Sequence, residues 1–315
     1  MSDAPRSVVV TLAIPCRTDE PALGRTLEEA WASAADAGVA PATLVCLNGE
    51  GGDASSAAHQ LATAAARSGR TLRPIDVDAA ARWEPTADAG GVVVLRTRRP
   101  GKAIAWNWLR AALASDVVVF LDADVSLGPH ALRRLLAALT AAPDAILASP
   151  KTTCAARPTF FERIMAAPYR VDFPNLSGQL YAARTAGLPA RMPEDLIEPE
   201  RWLELVIGAT RMVRDPEAQV VVRLPGSLRD FYRQRIRIEM GKVQLERDHP
   251  TLGTRGNAQP RLRAALGSLG IADMLRLAAY LALRESAHAI ARRRYGRQTT
   301  ADAWVQAGST KEWSS

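Results

Sequence analysis

Residues Val117–Val125 read VVVFLDADV, five apolar residues running into two aspartates one residue apart. A short unbroken apolar run suits a strand buried on both faces of a parallel sheet; a half-exposed strand would alternate. At its carboxyl end the chain must leave the sheet, and that edge is where open α/β sheets take ligands. Asp122 and Asp124 therefore fall where charge is useful. Two carboxylates that close repel each other unless something positive sits between them. A hard divalent cation with oxygen ligands meets that need, and a diphosphate commonly completes its shell.

The chain around this stretch alternates strand and helix patterns. Ser7–Ile14 (SVVVTLAI) is a β-branched run ended by Pro15. Leu23, Leu27, Ala30 and Trp31 then recur at helical intervals, with Asp19 and Glu20 suited to the first turn. Thr43–Leu47 is a second strand, ending at Asn48-Gly49, and an alanine-rich helix covers Ser56–Arg67. Between Arg70 and Gly90 the pattern allows a short strand and a long irregular loop; Gly91–Arg96 is again a strand. Gly101-Lys102 opens a helix with Ile104, Trp108, Leu109 and Ala112 on one face. After the Asp122 strand come a helix over His130–Thr140 and a strand over Ile146–Ser149. This order predicts an α/β fold, a mostly parallel sheet with helices on both faces. Neither a dinucleotide glycine pattern nor a P-loop is present.

The second half is less regular. Ser177–Thr185 (SGQLYAART) predicts a strand after a loop, Met192–Ile207 carries five acids around a helical pattern, and Gln219–Arg223 is a short strand. Asp230–Leu245 is a basic helix, and Ile271–Arg294 is amphipathic. Cys16, Cys46 and Cys154 form no C-x-x-C pair, which argues against a zinc site or a disulfide framework and for a reducing compartment. The polar start and the charges within Ile271–Ile290 predict neither a signal peptide nor a membrane span, hence a cytoplasmic protein. Of the net charge of +7, the stretch from Thr251 onward holds nine Arg and one Lys against four acids. That excess is local. It points to a membrane surface or an acidic ligand rather than nucleic acid, with a solvated helix or a homodimer contact as alternatives.

Seven pieces in order, IPCRTDE, LVCLNGEGGD, RPGKAIAWN, FLDADV, SGQLYAAR, MPEDLIEPERWL and QRIRI, resemble a family 2 glycosyltransferase of GT-A fold over Ser7–Leu245. The resemblance implies a donor-binding half (1–150), an acceptor and catalytic-base half (151–250) and a basic helical extension (251–315). It implies an inverting transfer from a nucleotide-diphosphate sugar, expected to be uridine-linked. Asp124 would be the direct ligand of Mg²⁺ or Mn²⁺, and Asp122, with Ala123 between them, would contact ribose and metal. Pro15, Arg17 and Glu20 would wrap the nucleoside. Asn48 stands where many members carry an aspartate against the base. Lys102, at a glycine-opened helix start, would approach the phosphates, with Asn107 a turn later. Ser177 and Gly178 would contact acceptor and diphosphate, in a loop that also shapes the donor pocket. Gln234, Arg235 and Arg237 resemble the motif that holds acceptor and diphosphate, with Ile238 in place of its tryptophan. For the base that takes the acceptor proton two candidates stand, Glu200 and Asp195. Trp202 reads as core.

The acceptor is left open among a lipid carrier, a growing polysaccharide, a peptide and a small metabolite. Arg292, Arg293, Arg294 and Arg297 after the amphipathic helix suit the inner face of a membrane. A nucleotidyltransferase would need an early glycine- and arginine-rich triphosphate loop, which is absent. A non-catalytic relative that binds without turnover is the rival from another class.

Overall fold

The computed structural model describes residues 8–50, 55–79, 90–155, 159–171, 176–252 and 269–295. Its strands are β1 (Val10–Arg17), β2 (Ala42–Asn48), β3 (Leu72–Asp76), β4 (Val92–Thr97), β5 (Val117–Leu121), β6 (Ser126–Leu127), β7 (Leu147–Cys154), β8 (Leu180–Arg184) and β9 (Met212–Val222). They form one sheet in the order β3-β4-β2-β1-β5-β8-β7-β9-β6. The first five are mutually parallel, as the continuous apolar runs predicted. β8 then runs antiparallel to both β5 and β7.

The helices are α1 (Leu23–Asp36), α2 (Ser56–Arg67), α3 (Lys102–Ala111), α4 (Ala131–Ala141), α5 (Phe160–Ala166), α6 (Pro199–Ile207), α7 (Leu228–Asp248) and α8 (Ile271–Arg294). They cover both sheet faces, and alternate strand residues feed two cores. Leu12, Ile14 and Val119 meet Leu27, Trp31 and Leu135 from α1 and α4. Ala13, Phe120 and Leu95 meet Trp106, Leu109 and Leu203 from α3 and α6. The period-two alternation of a strand sends neighbours to opposite layers.

Several boundaries differ from the sequence expectation, each for a physical reason. β1 does not stop at Pro15; it continues to Arg17, with Pro15 opposite Cys46. Past Ala13 it has β2 alone as a neighbour, so one side needs no N–H donor and proline is tolerated. Asp19 and Glu20 are not in the first turn of α1. Asp19 pairs with Arg17 at 2.8 Å, and buried Glu20 accepts from the Ala22 N–H at 3.0 Å. On α3 the fully buried tryptophan is Trp106 and not Trp108. Its indole N–H donates to the Tyr181 hydroxyl at 2.9 Å and its ring stacks on Phe120 at 5.6 Å. The helical pattern from Met192 becomes helix only at Pro199. Proline fits the first helical position and bars helical backbone in the residue before it, and Glu198 is extended at φ −123°, ψ 78°. β9 begins seven residues before Gln219 and bulges against β7 at Pro150/Lys151. No described helix is long and apolar enough to cross a membrane. Cys16 and Cys46 are buried, Cys154 is half-buried, and none of the three is in a disulfide among the described residues.

Candidate active site

A cavity of about 930 Å³ opens at the carboxyl ends of β1 and β5. Strand β5 ends at Leu121, and buried Ala123 turns the flanking Asp122 and Asp124 toward this space. The Asp122 N–H donates to the Gln179 carbonyl at 2.9 Å, which ties the turn to the loop before β8.

Lys102 is the hub. It is the first residue of α3, after Gly101 at φ 145°, a conformation side chains rarely adopt. Its Nζ lies 2.6 Å from Asp122 Oδ1, 2.7 Å from Glu200 Oε1 and 3.1 Å from the Gly178 carbonyl. Burial works against its ammonium, but the carboxylates of Asp122 and Glu200 outweigh it and hold the lysine above its usual range. Burial raises Asp122 to about 6; Lys102 opposes that shift, and Glu200 and Asp124 add to it.

Glu200 enters in the first turn of α6. Gly178 leaves room for it, since a Cβ there would stand 3.3 Å from Glu200 Cγ. Glu198 lines the same cavity and packs over Gly241 of α7. Burial lifts it to about 7; Arg237 counters, while Glu200 adds repulsion.

The cavity lining also brings together Pro15, Arg17, Glu20, Ser177, Gly178, Gln234, Arg235 and Arg237. Asn48 and Asp195 stand outside the lining. Asn48 is buried; its amide donates to the Cys16 carbonyl at 2.8 Å and accepts from the Gly101 N–H at 3.1 Å. It thereby joins the ends of β1 and β2 to the start of α3. Asp195 offers its carbonyl to Gln244 of α7 at 2.8 Å. Asn107 holds both the N–H and the carbonyl of Met192, at 2.9 and 3.0 Å, and so anchors the acidic loop before α6. Trp202 packs in the core.

Sequence reasoning missed Glu198, and it missed the wall formed by Leu277, Tyr280, Leu281 and Arg284 of α8. Glu198 stood in the acidic segment and could have been weighed there. Nothing local marks the α8 residues, which reach the cavity only through the packing of α8 on α7. Arg292, Arg293 and Arg294 are exposed on α8, while Arg297 lies outside the described residues.

Among the described residues no three His, Cys, Asp or Glu side chains gather as a self-sufficient metal site. Asp122 and Asp124 offer the one or two carboxylate oxygens with which a protein holds a hard cation whose other ligands are phosphate and water. The donor set fits a cation that arrives with a diphosphate.

The family model Glycosyl transferase family 2 matches residues 76–183, which include Lys102, Asp122, Asp124 and Gly178. No curated protein matches by sequence. Among solved structures, the mannosyltransferase PcManGT from Pyrobaculum calidifontis, in complex with GDP-Man and Mn²⁺, superposes with a TM-score of 0.59 at 18% identity. The match covers 92% of this chain and 88% of that one. Mannosyl-3-phosphoglycerate synthase from Rubrobacter xylanophilus gives 0.48 at 17% identity, covering 81% and 80%. Glucosyl-3-phosphoglycerate synthase from Mycobacterium tuberculosis, with Mn²⁺, UDP-Glc and phosphoglyceric acid, gives 0.44 at 18%, covering 76% and 80%. The likeness to the Pyrobaculum protein is one of fold, and it agrees with the GT-A-type sheet expected from the sequence.

Proposed function

We propose that the chain is a glycosyl transferase of family 2, a reading supported by the family model over residues 76–183, and that it carries out an inverting transfer of a sugar from a nucleotide-diphosphate donor to an acceptor hydroxyl. The observation that carries this reading is the span of Lys102, whose Nζ touches Asp122 and Glu200 at 2.6 and 2.7 Å. The residues for the diphosphate end and for the acceptor end thus meet across one ammonium.

Asp124 and Asp122 would hold Mg²⁺ or Mn²⁺, which would supply positive charge to neutralise the departing diphosphate. The nucleoside lies against Pro15, Arg17 and Glu20. Glu200 accepts the proton of the acceptor hydroxyl as its oxygen bonds to the anomeric carbon and the bond to the diphosphate breaks. Lys102 balances Glu200 and Asp122 and holds both in register, a positioning role besides its contribution to the phosphate site. Gln234, Arg235 and Arg237 face the acceptor and the leaving group. On this reading most donor contacts fall in residues 1–150, and the base falls in 151–250.

The uridine expectation is tested against guanosine, the base in the Pyrobaculum complex. UDP- and GDP-sugars are titrated with Mn²⁺ into the parent and Asp124→Ala, and donor cleavage is followed. The parent should bind and cleave one class, with turnover falling about a thousandfold in the variant, since cation charge stabilisation is worth several kcal/mol. A parent that binds no nucleotide sugar overturns the enzyme reading. Product stereochemistry by NMR should show inversion at the anomeric carbon; retention overturns the role of Glu200 as base.

A further inference from the structure

The wall that α7 and α8 contribute to the cavity differs in chemistry from the carboxylate cluster around Lys102. Helix α8 presents Leu277, Tyr280, Leu281 and Arg284 to the cavity, and α7 presents Arg237 and Lys242. The wall is pinned in place. Tyr232 and Ser286 share a hydrogen bond of 2.7 Å, Arg235 donates to the Tyr280 hydroxyl at 3.3 Å, and His288 Nδ1 lies 3.1 Å from buried Glu239. Glu239 also takes the ion pairs of Arg235 and Lys242, at 2.6 and 2.9 Å.

An apolar strip beside three cations suits neither a plain sugar nor a small polyanion. A plain sugar offers no charge, and a small polyanion leaves the half-buried Leu281 uncovered on the cavity side; Leu277 is 4% exposed and packs with Ala167 and Val171. The strip also continues outward along the same helix. Met274, Leu275 and Ile271 are 41%, 67% and 75% exposed, and α5, which packs on α8, adds Phe160 at 75%. From Leu281 to Ile271 the helix rises about 15 Å. A cluster of exposed apolar residues at one helix end, unlike scattered single ones, marks a surface that something covers.

We propose that the acceptor is an anionic amphiphile that carries a free hydroxyl. Its negative head sits against Arg237, Lys242 and Arg284, and its apolar chain runs past Leu281 toward Met274 and Ile271. This rests on the transferase reading, which makes the occupant an acceptor. The hydroxyl oxygen bonds to the anomeric carbon, its proton passes to Glu200, and the nucleoside diphosphate leaves with the electron pair of the broken bond.

Binding is measured by calorimetry on the full chain with three probes below their micelle concentrations. Dihexanoyl phosphatidylglycerol has the charge, the hydroxyls and the chains. Glycerophosphoglycerol lacks the chains, and dihexanoyl phosphatidylcholine lacks the net charge. The first should bind at least about tenfold more tightly than either of the others. Equal binding of glycerophosphoglycerol would mean a free anionic acceptor, equal binding of the choline lipid an uncharged one, and either overturns the proposal. Leu281→Glu should weaken the phosphatidylglycerol probe by at least about tenfold, and Arg284→Gln, at a half-buried position, by about threefold. The second variant decides if the first fails to fold. Unchanged affinity in a folded Leu281→Glu overturns the proposal. So does an Ile271→Glu/Leu275→Glu chain that turns from dimer to monomer with amphiphile affinity intact. A UDP- and GDP-sugar titration on the same samples separates the two readings. Donor binding without amphiphile binding removes this inference alone, and amphiphile binding without donor binding removes the transferase reading.

Discussion

The two halves of this sheet place polar groups by different means. In the first half, β1, β2, β4 and β5 run parallel and buried, and their carboxyl ends deliver Arg17, Asn48, Asp122 and Asp124 to one edge by regular geometry. In the second half, β8 reverses direction and the polar groups come from an acidic loop, α6, α7 and α8. The first half positions by backbone ladder; the second positions by contacts between side chains that are distant in sequence. Asn107 on Met192 and Gln244 on Asp195 and Ile197 are such contacts, and they aim α6 so that Glu200 meets Lys102. Function at the seam therefore depends on both kinds of order at once.

That contrast can be broken at four places. Trp106→Ala attacks the packing under the first half and should cost about 3 to 5 kcal/mol in urea unfolding, the range for a buried aromatic truncated to alanine. A loss below about 1 kcal/mol would mean that the stack of Trp106, Phe120 and Tyr181 is not the support it resembles. Glu200→Gln should lower turnover about a thousandfold with donor affinity retained, while Asp195→Asn stays within about threefold. The reverse ranking would move the base into the loop. Lys102→Met removes the ammonium that joins the halves and should lower kcat about a hundredfold in steady-state assays, because both of its carboxylate partners lose their position. An effect on KM alone would confine Lys102 to donor binding.

The smallest effect is in stability against pH. Burial raises Glu198 from 4.5 to about 7, so within that window the folded chain keeps a proton that the unfolded chain has released. Stability from this group is complete below the window and is lost as pH rises through about 7. The charges that face it are Arg237 and Arg235 from α7, Lys102 from α3 and Glu200 from α6. Unfolding midpoints should fall with rising pH in the parent and stay flatter in Glu198→Gln. Equal slopes would contradict the raised carboxyl.

Elements with a strong local period were legible in advance. The apolar run of β5, the helix α2 over Ser56–Arg67 and the amphipathic α8 over Ile271–Arg294 lie where their patterns put them. Elements set by their neighbours were not. Trp106 and Trp108 project from opposite sides of α3, the helical pattern favours Trp108, and the rings of Phe120 and Tyr181 select Trp106 for burial. β6 is two residues long and exists because β9 lies beside it.

The same division holds for the site. The sequence alone determined the sheet, the position of Asp122 and Asp124 at a strand's carboxyl end, and Lys102 at a helix start, because hydrophobic period and the glycine before Lys102 act over a few residues. The tertiary structure alone decided that Lys102 spans Asp122 and Glu200, that Asp195 stands outside the cavity lining, and that α8 walls the cavity. Those facts join residues on separate elements, many of them far apart in the chain, and burial and hydrogen bonding choose among such pairs only once the layers have packed.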